Sequence, residues 1–98
     1  NLLVACGDAH QYIELNFDKE IIVRTVTEKQ ITGAPLSFVA EMFPVKDGGI
    51  YICNWQGHGG DAPGGYPKLI ELNKKGKMVW SLSDYKETGM ISAVCPLN

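Results

Sequence analysis

Residues 69–80 read Leu-Ile-Glu-Leu-Asn-Lys-Lys-Gly-Lys-Met-Val-Trp, two short apolar runs separated by a turn of lysines and a glycine. Runs of this length on either side of turn residues are typical of an antiparallel hairpin. The hairpin has an earlier copy in the chain. Residues 13–16, Ile-Glu-Leu-Asn, match residues 70–73 at an offset of 57, and Ile21-Ile22-Val23 then matches Met78-Val79-Trp80 without a gap.

Two further matches extend this repeat. Residues 2–6, Leu-Leu-Val-Ala-Cys, match residues 50–54, Ile-Tyr-Ile-Cys-Asn, at an offset of 48, which also sets His10 against His58. Residues 36–39, Leu-Ser-Phe-Val, match residues 91–94, Ile-Ser-Ala-Val, at an offset of 55. A repeat of roughly 50 residues built from four short antiparallel strands is the unit of a β-propeller blade.

The sequence therefore predicts an all-β chain of about two four-stranded antiparallel blades of a β-propeller. With the strands of a blade lettered A to D from the inside outward, the predicted order is B-C-D, then A-B-C-D, then A. The eight expected strands lie near residues 2–6, 10–16, 20–27, 36–43, 49–55, 68–73, 77–83 and 90–95.

The repeat also divides the chain. Residues 1–32 form most of a first blade, residues 33–88 a second blade, and residues 89–98 the first strand of a further blade. One blade cannot cover both faces of its sheet, so two blades alone leave apolar surface exposed. We therefore expect self-association, or the remaining blades of a longer propeller, as partners of this chain.

Charge and composition exclude some classes of partner. The 98 residues carry 9 basic and 11 acidic side chains spread along the chain, for a net charge of -2, which does not favour nucleic acid as a partner. No apolar run approaches the roughly 20 residues that span a bilayer, so we expect no membrane insertion. The three cysteines, Cys6, Cys53 and Cys95, form no C-x-x-C pair and are expected to be small buried apolar residues.

Residues 69–80 resemble the repeat of the pyrroloquinoline-quinone-like propellers, in which an apolar strand ends in Asp or Asn, the turn carries Gly-Lys, and the next strand ends in Trp. Residues 43–58 are similar to bacterial secreted or surface-layer propeller proteins of that superfamily. The resemblance implies an extracytoplasmic scaffold, periplasmic or at the cell surface, that binds a small molecule or a protein at its central funnel. It gives Trp80 and Gly76 a structural role in docking blade on blade.

The first copy of the repeat departs from this pattern. It has Asp18-Lys19-Glu20 where the second copy has Gly76, and Val23 where the second copy has Trp80. For this reason we expect no quinone, and no other cofactor, to be bound by these residues.

The connection at residues 54–67, Asn-Trp-Gln-Gly-His-Gly-Gly-Asp-Ala-Pro-Gly-Gly-Tyr-Pro, is long for a hairpin. Long loops held by rigid strands often carry binding residues, although a glycine-rich surface loop whose aromatic rings pack on the sheet fits the same pattern. The candidate ligand contacts are Trp55, His58, Asp61 and Tyr66, together with His10, which the repeat matches to His58.

Catalytic and metal sites are not indicated. The available ligands are His10, His58, Asp8 and Asp61, but each blade supplies one histidine and no carboxylate recurs at a matching position, so no metal is expected. Gly57-x-Gly59 precedes no helix that could receive a dinucleotide, and the chain has no G-x-S-x-G nucleophile elbow. We expect a binding or scaffold module without catalytic residues of its own.

Two alternatives remain open from the sequence. In the first, the chain belongs to a propeller enzyme, a quinone-dependent dehydrogenase or a hydrolase or transferase, whose active site is completed by further blades. In the second, it is a self-assembling structural protein of a cell surface.

Overall fold

The computed structural model describes residues 1–31, 35–56, 66–83 and 89–97. Within these ranges the chain is all-β, as the alternating apolar runs predict, and one turn of 3-10 helix, Glu28–Gln30, follows the third strand. The strands are β1 (Leu2–Ala5), β2 (Gln11–Asn16), β3 (Ile21–Thr27), β4 (Phe38–Pro44), β5 (Ile50–Trp55), β6 (Leu69–Leu72) and β7 (Met78–Leu82).

The strands form two antiparallel sheets. Sheet A has the order β1-β2-β3, and sheet B has the order β4-β5-β6-β7. Within each sheet, every strand pairs with its neighbour in sequence, whereas β3 and β4 lie in different sheets. Most of the paired strands are joined by short turns, which favour hairpins. The predicted arrangement of three antiparallel strands followed by four is confirmed.

The prediction of an eighth strand at residues 90–95 is wrong, because residues 89–97 form no strand. A strand needs a neighbour to receive its backbone hydrogen bonds. Within the described ranges no strand runs beside this segment, and the Val94 N–H instead donates to Oε2 of Glu41 at 2.7 Å.

The core lies between the two sheets. Alternation along each strand turns one row of apolar side chains of sheet A toward sheet B, and the link between β3 and β4 adds further apolar residues at its edge. The buried members are Tyr12, Val26, Ile31, Leu36, Val39, Ile50, Ile52, Ile70 and Leu72.

Both outer hairpins have a β-bulge at the same place in the repeat. The register between β2 and β3 shifts at Glu14/Leu15, and the register between β6 and β7 shifts at Glu71/Leu72. Because bulges re-aim the strand that contains them, this shared irregularity shows that the two hairpins have the same backbone design.

The gap-free match of the hairpins is wrong by one residue. Arg24 pairs with Glu14 in the first hairpin as Trp80 pairs with Glu71 in the second. The residue that corresponds to Trp80 is therefore Arg24 and not Val23. The reason is the turn: four residues separate the paired Asn16 and Ile21, whereas three separate Asn73 from Lys77. The gap-free sequence alignment ignores this extra turn residue, so it shifts β3 by one residue relative to the observed strand pairing.

The same correction aligns Glu20 with Gly76. Each precedes the first paired residue of its second strand, and both have left-handed backbones, with φ of +55° at Glu20 and +81° at Gly76. Gly76 meets no steric penalty there, while a residue with a Cβ does.

Candidate binding rim

Three connections meet at one end of the two sheets: the turn from β1 to β2, the link from β3 to β4, and the ends of β5 and β6. His10, Ser37, Trp55 and Tyr66 lie at this end and are here called the upper rim. The sheets are joined here, since the Gly7 N–H donates to the Val39 carbonyl at 3.1 Å. The rim therefore combines residues from both sheets on one backbone platform.

His10 is held by the neighbouring connection. Its Nδ1 lies 2.8 Å from the Ser37 carbonyl oxygen. A carbonyl only accepts, so Nδ1 carries a hydrogen and Nε2 is left for another partner. The residue is exposed, and its φ of +57° is uncommon for a residue with a side chain. The turn thus places this exposed imidazole on a residue with a left-handed backbone.

Trp55 is half-buried and packs edge-on against Phe38, with ring centroids 5.3 Å apart and an interplanar angle of 78°. Gly7 lies under the Phe38 ring. A Cβ on Gly7 would lie 2.8 Å from Cζ of Phe38, which is too close for two carbons, and Gly7 also has a φ of +40°. Only glycine lets the β1–β2 turn approach the aromatic pair this closely.

Asn54 is the polar clamp beneath the rim, with 0% of its surface exposed. Its Oδ1 accepts from the Ser37 N–H at 2.7 Å, and its Nδ2 donates to the carbonyls of Pro35 at 3.0 Å and Pro67 at 2.9 Å. One amide therefore ties the β3–β4 link to the start of β6. The carbonyl that holds His10 belongs to the residue whose N–H binds Asn54.

Two more buried polar side chains extend this clamp. Nε2 of Gln56 donates to the carbonyls of Asn54 at 2.9 Å and of Tyr66 and Pro67, both at 3.2 Å. Nζ of Lys68 donates to the Tyr66 carbonyl at 3.1 Å. These contacts hold the backbone of Tyr66 while its side chain stays 39% exposed.

Asn54, Gln56 and Lys68 belong to no sequence motif, and sequence reasoning missed them. A signal was present in β5: alternation places Asn54 and Gln56 on the same side as Ile50 and Ile52, so polar side chains continue a buried apolar row. A polar residue in such a row must find hydrogen-bond partners inside the protein.

Of the candidate ligand contacts, the structure brings His10, Trp55 and Tyr66 to the same rim. His58 and Asp61 lie outside the described residues. Trp80 lies elsewhere, on the face of sheet B that points away from sheet A, where it lines an open groove of about 400 Å³ with Val94 and Pro96. Gly76 lies in the β6–β7 turn.

A second cleft, of about 490 Å³, lies at the opposite end of the space between the sheets, beside Gly49 and the start of β1. Its polar wall is the ion pair between Arg24 and Glu14, 3.3 Å apart, with Nδ2 of Asn1 donating to Glu14 at 2.6 Å. Glu14 thus uses one carboxylate oxygen on Arg24 of β3 and the other on Asn1, which precedes β1.

The three cysteines are free thiols and differ in exposure: Cys53 is buried, Cys6 is half-buried and Cys95 is exposed, so the expectation of burial is wrong for Cys95. Burial, together with the Glu41 carboxylate, raises the pKa of Cys53 to about 11. Its thiol is therefore protonated at neutral pH and a poor nucleophile.

In the part of the chain that the structure describes, no three His, Cys, Asp or Glu side chains are grouped as metal ligands. Nor is any helix in that part long and apolar enough to cross a membrane.

No protein-family model and no curated protein matches the chain. Among solved structures, the chain is similar to a protein of unknown function from Bacteroides caccae, with 52% sequence identity and a TM-score of 0.87. The match covers 92% of this chain and 33% of the other, so the chain spans about a third of that protein's length.

Proposed function

We propose that this chain supplies two adjacent blades of a β-propeller that acts as a binding module, and that the upper rim is its contact surface. The two sheets have the same hairpin design, including the bulge, and they pack face to face. The similar protein from Bacteroides caccae is about three times as long, which leaves room for six such sheets. Six blades lie within the range of known propellers.

One observation carries the binding role: the Asn54 clamp. Its three hydrogen bonds fix the two backbone segments that carry Ser37 and Pro67, and through them the positions of His10 and Tyr66. Both the oxygen and the nitrogen of the buried Asn54 amide are paired, and a buried polar group with its partners in place gives rigidity. Oε1 of the neighbouring Gln56 is buried without a hydrogen-bond partner in the described residues, so the support rests on Asn54. Rigid supports for exposed aromatic and imidazole groups are what a binding site needs, because little side-chain entropy is then lost on binding.

The chemistry of the rim indicates the kind of ligand. Tyr66 and Trp55 offer aromatic surface, and Nε2 of His10 offers one hydrogen-bonding position. Ring-shaped molecules with hydroxyl groups match both features, as do aromatic side chains of a protein partner. The resemblance to secreted and surface propellers puts this contact outside the cytoplasm in our proposal.

The test uses Trp55 as its own reporter. The chain has two tryptophans, so a Trp80→Phe variant leaves Trp55 alone to fluoresce. This variant is titrated with a panel of methyl glycosides and with tyrosine amide, and backbone amide shifts are recorded in parallel. We expect at least one probe to change the Trp55 emission and to shift amides of the upper rim.

Matched variants locate the effect. Tyr66→Ala and His10→Asn, where asparagine tolerates the left-handed backbone, should abolish the response. Phe43→Ala is the control, because Phe43 is 36% exposed, close to the 39% of Tyr66, but lies at the opposite end of the sheet. Probe-induced shifts confined to the cleft beside Glu14 and Arg24, with Trp55 unchanged, would contradict the proposal.

A further inference from the structure

Each sheet has a face that the other sheet does not cover, and these two faces are not alike. On sheet A, the ladder aligns Leu2, Leu15 and Ile22 in one row across the sheet. The neighbouring row holds Val4 and Ile13. Both rows point away from sheet B, and Ile22 is 58% exposed. This is the outer face of sheet A.

The outer face of sheet B carries larger and more polar side chains. Its rows are Tyr51–Glu71–Trp80 and Cys53–Leu69–Leu82. Trp80 is 46% exposed there.

The contact between sheet A and sheet B shows how such faces pack, and its rows can be compared with the rows of the two outer faces. The rows of sheet B that face sheet A are Ile50–Leu72–Met78 and Ile52–Ile70–Ser81. In the repeat, as corrected by the structure, the first corresponds to Leu2–Leu15–Ile22 and the second to Val4–Ile13–Thr25. The outer face of sheet A therefore has the pattern of a face that is buried one repeat later.

The opposing side of this contact repeats as well. Sheet A covers sheet B with the rows Leu3–Glu14–Arg24 and Ala5–Tyr12–Val26. The corresponding rows in the second copy are those of the outer face of sheet B. The two uncovered faces thus correspond to the two sides of an interface that the molecule already contains.

The C-terminal segment supports this correspondence. Residues 91–94 repeat residues 36–39, and Val39 is buried between the sheets. Val94 lies in the same way against the outer face of sheet B, next to Trp80. This segment corresponds to β4, which pairs with β5. In the repeat β5 corresponds to β1, and β1 is an edge strand of sheet A, so β1 of another copy can be the missing partner of this segment.

We propose that the outer face of sheet B in one copy of this chain binds the outer face of sheet A in a second copy, and that three copies close into a ring of six sheets. This inference rests on the proposed propeller. The contact is head-to-tail, because it joins two different faces, and such a contact closes when the rotation per copy allows it. Three copies supply the chain length of the similar protein, of which this chain spans about a third.

The experiment is light scattering over a range of concentrations, with one variant for each face. We expect the unmodified chain to reach about 32 kDa, three times its 10.7 kDa. Ile22→Lys and Trp80→Lys each place a charge on one face at an exposed position, and each should remain a monomer. Phe17→Lys, in a turn outside both faces and 70% exposed, is the control and should assemble normally.

Mixing the two blocked variants is the decisive step. Ile22→Lys keeps an intact sheet B face and Trp80→Lys an intact sheet A face, so the mixture should form a dimer of about 21 kDa, twice the single-chain mass. This result also shows that both variants are folded. If instead Trp80→Lys alone still dimerises, the contact joins two identical faces and the proposal is wrong.

A monomer at every concentration would also overturn it, and would leave the blades of a longer chain as the occupants of both faces. The proposed binding role can be judged separately, because in monomeric Trp80→Lys the single remaining tryptophan, Trp55, reports on the upper rim. A Trp55 response to the probes without any assembly would refute this inference alone.

Discussion

Removing the Asn54 amide should weaken the whole fold more than its size suggests. In Asn54→Ala, the half-buried Ser37 N–H and Pro35 carbonyl each lose a partner, and the buried Pro67 carbonyl keeps only its bond from Gln56. A hydrogen bond contributes about 1 kcal/mol net, and a buried group left unpaired costs about 1 to 3 kcal/mol. We therefore expect the free energy of unfolding to fall by about 3 kcal/mol, which is about 1 kcal/mol for each of the three bonds.

The assay is urea unfolding followed by tryptophan fluorescence, with Asn16→Ala as the matched control. Oδ1 of Asn16 accepts from the Lys19 N–H at 3.0 Å in an exposed turn, where water replaces the lost contact. Its loss should cost about 1 kcal/mol or less. Hydrogen exchange gives a second readout: the Ser37 amide should be protected in the unmodified chain and should exchange faster in Asn54→Ala. If Asn54→Ala lowers the free energy of unfolding no more than Asn16→Ala does, the hydrogen bonds of Asn54 do not stabilise the fold and the prediction is wrong.

Three other outcomes follow from the same structure. Glu20→Gly should stabilise the fold by about 1 kcal/mol, because glycine adopts the left-handed backbone without strain, and Gly76→Ala should destabilise it by a similar amount. If urea unfolding shows that both substitutions change stability in the same direction, the alignment of the two turns is contradicted. Ile70→Ala should cost about 2 to 5 kcal/mol, and its repeat partner Ile13→Ala less than half of that at concentrations where the chain is monomeric; equal losses would show that both faces are buried. The pKa of Cys53 is raised from its ordinary 9 to about 11, so the folded state favours the protonated thiol. The stability that this preference provides is present below pH 9 and is lost as the pH rises toward 11. Cys53→Ala should flatten that part of the stability profile, and an unchanged decline would assign it to other groups.

Much of the fold could be predicted from local sequence. Apolar runs of four to seven residues, bounded by turns such as Lys74-Lys75-Gly76, predict hairpins, and seven of the expected strands are present in the described residues. The order of three strands and then four followed from the repeat, because strands joined by short turns pair with their sequence neighbours. The repeat also matched His10 to the connection after β5, and His10 does lie at the end of the sheets where Trp55 and Tyr66 are found.

Tertiary structure decided the rest, since it depends on partners that are distant in sequence. Residues 90–95 have the composition of a strand, but a strand exists only beside another that takes its hydrogen bonds. Asn54 reads as one more polar residue of a loop until two chain segments, 17 and 13 residues away, bring it a donor and an acceptor. Arg24 takes the place of Trp80 because a turn is one residue longer, which only the ladder reveals. Composition and periodicity set which residues can be strands, whereas the pairing of distant backbone groups and the packing of one sheet on another determine which of them are.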